Sequence, residues 1–123
     1  MRSLLEQGRL VAATDYVNAQ RLRRMFVGQF RALFREVDAL LTPATPTTAP
    51  LIGQAEVDIG GQSEDARLAS TRLVRGLNAL GLPALSIPCG ADRQGLSIGL
   101  QIIGRPFEEA LILRIGASLE AAL

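Results

Sequence analysis

The sequence predicts an α/β fold, and three observations carry that prediction. Apolar residues recur at helical spacing through the first third of the chain. Two short apolar runs, near residues 84–88 and 98–103, are bounded by glycine and proline. Helical patterns lie on either side of those runs, so helices and strands alternate.

The elements follow in order. Ser3-Leu4-Leu5-Glu6 has the spacing of a capping box, and Gly8 stands where a short first helix would end. Thr14 is placed to cap a second helix, with Asp15 favouring the dipole in its first turn. Val17, Leu22, Phe26, Phe30, Leu33, Phe34 and Val37 then recur three or four apart, predicting an amphipathic helix over about residues 15–37. Asp38 to Thr42 reads as a short strand running into Pro43. The stretch TPATPTTAPLIG, residues 42–53, holds three prolines and no period. Proline fixes its own φ and drives the preceding residue toward extended angles, so an ordered, extended loop is expected.

Glu56 to Ile59 followed by Gly60-Gly61 predicts a small strand and turn. Ser63 is the expected cap of a helix over about 64–80, with Glu64 and Asp65 in its first turn. Leu73, Leu77 and Leu80 form its narrow apolar stripe, Gly81 its left-handed C-cap, and Pro83 its stop. Ala84–Pro88 and Ile98–Ile103 are then two adjacent buried strands. The second is apolar on both faces apart from Gln101, which predicts helices over both sides of the sheet. Pro106 is expected to open a last helix over about 107–121, with Phe107, Leu111, Ile115 and Leu119 on one face. A chain of 123 residues suits a single domain, 1–123.

Composition removes much chemistry. The chain has no histidine, and all 13 of its basic residues are arginine. Ser-His-Asp, Cys-His and Ser-Lys mechanisms therefore have no base within it. Zinc sites of the Cys/His type are excluded too, and the acids do not cluster, so no catalytic residue, metal or cofactor is expected. The single cysteine has no internal partner, which suits a reducing cytoplasm. The opening MRSLLEQGRLV is a poor secretory signal, and no apolar run reaches the length of a membrane span.

Individual candidates reduce to bland readings. Ser86 lies mid-strand without a base, and Cys89 reads as a small apolar filler. Gly99-x-x-x-x-Gly104-Arg105 has glycines at phosphate-loop spacing, but Arg105 and Pro106 stand where lysine and a hydroxyl are needed. At residues 59–65, Glu64 and Asp65 would repel a phosphate. Arg21, Arg23, Arg24, Arg31 and Arg35 spread over more than one helix face with few aromatics beside them. A solvated face is the better reading, and a nucleic-acid partner is disfavoured.

One pattern joins these pieces. Arg72, Asn78, Gly81, Pro83-Ala84, Ser86, Pro88, Gly90, Gly99-Leu100-Gln101 and Gly104 together resemble the C-terminal part of the amidase signature family. Tyr16 near the start of a long helix, and Asp38-x-Leu-Leu-Thr-Pro-Ala-Thr-Pro-Thr-x-Ala-Pro50, resemble the same family's approach to its substrate cleft. The resemblance implies part of a mixed-sheet fold and a hydrolase of carboxamides that works through an acyl-serine intermediate. It also implies that the serine pair and lysine of that chemistry lie on chain N-terminal to these residues, with a small amide as substrate.

The expectation is a C-terminal portion that supplies scaffold and cleft wall and is inactive alone. Whether the chain by itself is an enzyme stays open. Thr42, Pro43, Thr45, Pro46 and Thr48 are the expected cleft-lining residues. The implied partners are the N-terminal catalytic part and, for the isolated chain, further copies of itself in a homodimer or higher oligomer. Two alternatives stand beside this reading. One is a fragment of the A subunit of a glutamine-hydrolysing tRNA-dependent amidotransferase, which Thr71, placed where an acid is expected, disfavours. The other is a free-standing, non-enzymatic α/β module that oligomerises.

Overall fold

The computed structural model describes residues 2–123, with side chains from Leu5 onward. The elements are α1 (Arg2–Gly8), α2 (Ala13–Leu33), β1 (Leu40–Pro43), β2 (Glu56–Ile59), β3 (Gln62–Asp65), α3 (Ala66–Leu80), β4 (Ala84–Ala91), β5 (Ser97–Ile103) and α4 (Glu109–Glu120). The fold is mixed α/β, as predicted, and its described strands pair antiparallel. β5 is the centre of a three-stranded sheet ordered β1-β5-β4, and β2 and β3 form a separate hairpin. The capping box proposed from Ser3 lies outside the described side chains.

The main core forms where the sheet meets α4. Ile87 and Ile102 pack against Ile112, with Leu85, Leu100, Ile115 and Leu119 around them. Close approach depends on a glycine: a Cβ on Gly116 would stand 2.5 Å from Leu85 Cδ2. A second, smaller core joins Val57 of β2 to Ala66 and Ala69 of α3. The β2–β3 connection is two residues long, with Gly60 at φ 64° and Gly61 at φ 85°. Both angles are positive, as a type I′ hairpin turn requires.

Several boundaries differ from expectation. The long helix occupies Ala13–Leu33, and residues Phe34–Glu36 turn instead. The carbonyls just past its end find a partner elsewhere in the chain, since Arg105 Nε donates to Phe34 O at 2.9 Å and Nη2 to Val37 O at 3.0 Å. Thr14 is not the cap. Ala12 holds that position with no side-chain bond. Ser63 is not a cap either, because it lies inside β3 and its hydroxyl donates to Glu56 Oε2 at 2.6 Å. Asp65 caps α3, accepting from Leu68 N at 2.9 Å.

Thr42 and Pro43 belong to β1, where they pair with Gln101 and Leu100, so the irregular segment begins at Ala44. β4 runs on to Ala91 rather than ending at Pro88. It does so through a bulge, in which Pro88 pairs with Gly99 and Gly90 with Ile98, leaving Cys89 as the extra residue. Pro106 and Phe107 form a turn ahead of α4, and Phe107, at φ 68°, is exposed and leaves the helix's apolar face. Gly81 ends α3 as predicted, at φ 72° and ψ 35°, with Gly81 N bonded to Asn78 O and Leu82 N to Leu77 O.

The expectation of helices over both sheet faces also fails, since α4 covers one face only and Ser86 is exposed rather than buried. Leu22, Phe26, Met25 and Tyr16 of α2 are exposed as well. The accessible surface is 9295 Å². A folded monomer of 13.1 kDa exposes about 6400 Å².

Candidate functional site

The proline-rich segment lies along the sheet edge because three groups hold it there. Pairing of Thr42 with Gln101, and of Gln101 with Ser86, puts one polar rung across all three strands. Gln101 is 4% exposed, and its Nε2 donates to Thr42 Oγ1 at 3.2 Å. A lone buried amide in an apolar strand needs such a partner. Two residues further, Ala44 N donates to Gly99 O at 2.8 Å. The approach is tight enough that a Cβ on Gly99 would stand 2.9 Å from Ala44 Cβ. The third anchor is at the tip of the β4–β5 hairpin, where Thr48 Oγ1 donates to Asp92 Oδ2 at 2.9 Å. Between anchors, Thr45 Oγ1 donates to Thr47 O at 2.7 Å.

Asp92 organises that tip. Its Oδ1 accepts from Gln94 N at 2.8 Å and Leu96 N at 2.9 Å, while Gly95 N donates to Asp92 O. The Leu96 amide is the largest cause holding the carboxyl below its ordinary range, with Thr48 and the Gln94 and Gly95 amides adding and partial burial opposing. Neither Gln101 nor Asp92 stood among the expected lining residues. Gln101 was visible as the one polar residue in the apolar run 98–103. Asp92 was visible in Asp-x-x-Gly, the signature of a turn closed by an aspartate side chain.

Of the expected lining residues, Thr42, Pro46 and Thr48 are half-buried, and Pro43 and Thr45 exposed. All five lie on one continuous strip from β1 to the third anchor. Ser86 shares the rung with Gln101, and no side chain among the described residues hydrogen-bonds it as a base would. Cys89 Sγ lies 3.4 Å from Ile98 O at the bulge. Arg105 stands far from phosphate-loop duty, since its guanidinium joins Asp38 Oδ1 and Glu108 Oε2 at 3.1 Å each, besides the two carbonyls of the α2 exit. The hydrogen bond to Asp38 is the largest cause raising its pKa.

A separate groove of about 610 Å³ runs between α2 and α3, lined by Leu22, Phe26 and Phe30 on one side and Leu73, Leu77 and Leu80 on the other. Arg23 spans its rim and donates to Ala79 O near the end of α3. Arg72 also lines the groove and pairs with Glu64. The helical periodicity read from the sequence is therefore real, but this stripe faces a groove and not a closed core.

A family model described as Amidase matches residues 1–113. A fatty acid amide hydrolase of Medicago truncatula is 45% identical over 108 residues, covering 88% of this chain and 18% of that protein. The A subunit of a glutamyl-tRNA(Gln) amidotransferase from Zymomonas mobilis is 41% identical over 106 residues, 85% of this chain and 20% of that protein. The solved structure of an amidase superposes with a TM-score of 0.91 at 33% identity, over 99% of this chain and 28% of that one. The chain thus spans about a fifth of the length of the curated relatives it matches.

Proposed function

The chain belongs to the amidase family, and from that premise we propose that it is the C-terminal scaffold and cleft-wall portion of a carboxamide hydrolase, acting as a single domain. In the complete enzyme a serine nucleophile carried on other chain attacks the amide carbonyl, and water resolves the acyl-enzyme. This portion supplies the sheet β1-β5-β4, its covering helix and the proline-rich strip along the substrate. Thr42, Pro43, Thr45, Pro46 and Thr48 line that strip, where stiff prolines hold shape at low entropic cost.

One observation carries the reading. The accessible area exceeds that of a folded monomer of this mass by about 2900 Å², on one side alone as much as a large obligate interface buries per partner. Exposed apolar side chains of α2 and the α2–α3 groove contribute to the excess, and these are surfaces that a larger body would cover. The lack of both lysine and histidine agrees, because neither base of amide hydrolysis is available. The substrate is taken to be a small amide.

The test is reconstitution. The purified chain should not turn over a simple amide. Mixed or co-expressed with the remaining portion of an amidase of this type, it should form a stable complex that does. Turnover by the chain alone, or failure to associate with any such portion, would count against the proposal.

A further inference from the structure

Resting on the cleft-wall reading, we infer that Thr48 and Asp92 form a latch that sets the position of the proline-rich wall, and that both are positioning residues for the substrate.

The geometry leaves the wall little choice. Ala44 is tied to Gly99 at 2.8 Å and Thr48 to Asp92 at 2.9 Å. Only residues 45–47 lie between the two ties, and Pro46 fixes one of their angles. Three residues so anchored cannot shift relative to β5 without breaking an anchor. The carboxylate is equally constrained. Its Oδ1 is taken by two backbone amides of the hairpin turn, which fixes the carboxylate plane and presents Oδ2 to the loop. The Ala44 tie is a backbone bond, and no side-chain group makes it. The Thr48 tie is made by two side chains 44 residues apart, so removing one hydroxyl releases it while the backbone tie stays. A change in the β4–β5 turn would therefore alter the cleft without touching a cleft residue.

The discriminating variant is Thr48→Val, which keeps the shape and removes the donor, with Thr48→Ser restoring it. Two readouts separate the latch from the reading beneath it. In the 123-residue chain, hydrogen exchange of residues 44–50 followed by mass spectrometry should quicken about fivefold in Thr48→Val, as expected for one lost hydrogen bond. Thr48→Ser should match the parent, and β5 and α4 should be unchanged. In the chain reconstituted with the catalytic portion, Thr48→Val should raise KM for the amide several-fold with kcat held, and Thr48→Ser should reverse it. Unchanged exchange in Thr48→Val would overturn the latch. Faster exchange with KM unmoved, or with kcat falling in its place, would overturn the positioning role. A reconstituted complex without turnover in the parent sequence would overturn the cleft-wall reading and leave the exchange result to decide the latch.

Discussion

Ile102 is fully buried at the meeting point of β5, β4 and α4. Truncation there removes transfer energy and leaves a cavity, so Ile102→Ala should destabilise the chain by roughly 3 kcal/mol and Ile102→Val by about 1 kcal/mol. Chemical denaturation of the two variants would check the ratio. Gly99 poses the opposite problem. A methyl group there meets Ala44 Cβ at 2.9 Å across the Ala44–Gly99 anchor, so Gly99→Ala should displace the proline-rich strip and quicken its exchange while the α4 contacts persist. Asp92 gives a pH signature. Its folded pKa lies below the ordinary 3.8, so its contribution is fully present above that value and is lost as pH falls through the lowered one. Stability curves of the parent and Asp92→Asn should therefore differ at neutral pH and converge in acid below 3.8. A difference that persisted at low pH would show that the carboxylate is not the source.

Among elements, α3 was the most legible, because its end signals act locally. Gly81 is predicted at the left-handed cap and stands there at φ 72°. Gly81→Ala should cost about 1 kcal/mol and Gly81→Asn less, read by thermal unfolding. The start of α3 was misplaced by one competing interaction. Ser63, Glu64 and Asp65 all suit a first turn, but pairing with β2 claimed all three for β3, and Asp65 at the strand's end doubles as the cap. The long helix overran for a related reason. Phe34 and Val37 continue its apolar spacing, yet Arg105, some 70 residues away, takes the carbonyls at its exit. Arg105→Gln should therefore lower the unfolding temperature and loosen residues 34–38 ahead of the rest. In β4, the segment Pro88-Cys-Gly90 looked like a strand end, because proline and glycine usually mark one. It proved to be a bulge on a strand whose far side has no partner among the described residues.

At the scale of the molecule, two small cores support a chain with a large apolar exterior. Such a surface should drive association. Light scattering of the isolated chain at high concentration should give a mass above 13.1 kDa, and Phe26→Glu in the α2–α3 groove should reduce it. A clean monomer in the parent would count against the scaffold reading.

By itself the sequence determined the order and type of most elements, since helical period, proline and glycine punctuation and the left-handed cap are all local physics. It also determined that no histidine or lysine base is available, which is a matter of composition. That the proline-rich segment is neither helix nor regular strand beyond Pro43 was legible too, but its bends at residues 44–48, in place of the extended course expected, were not. Only the tertiary structure decided which surfaces are covered. A stripe such as Leu73, Leu77 and Leu80 reads the same whether it meets a core or an open groove, because periodicity specifies a face and not its neighbour. The anchors of the strip were decided there too. Thr42 to Gln101, Ala44 to Gly99 and Thr48 to Asp92 each join residues more than 40 positions apart, and nothing local reports which distant groups the folded chain brings within hydrogen-bond distance.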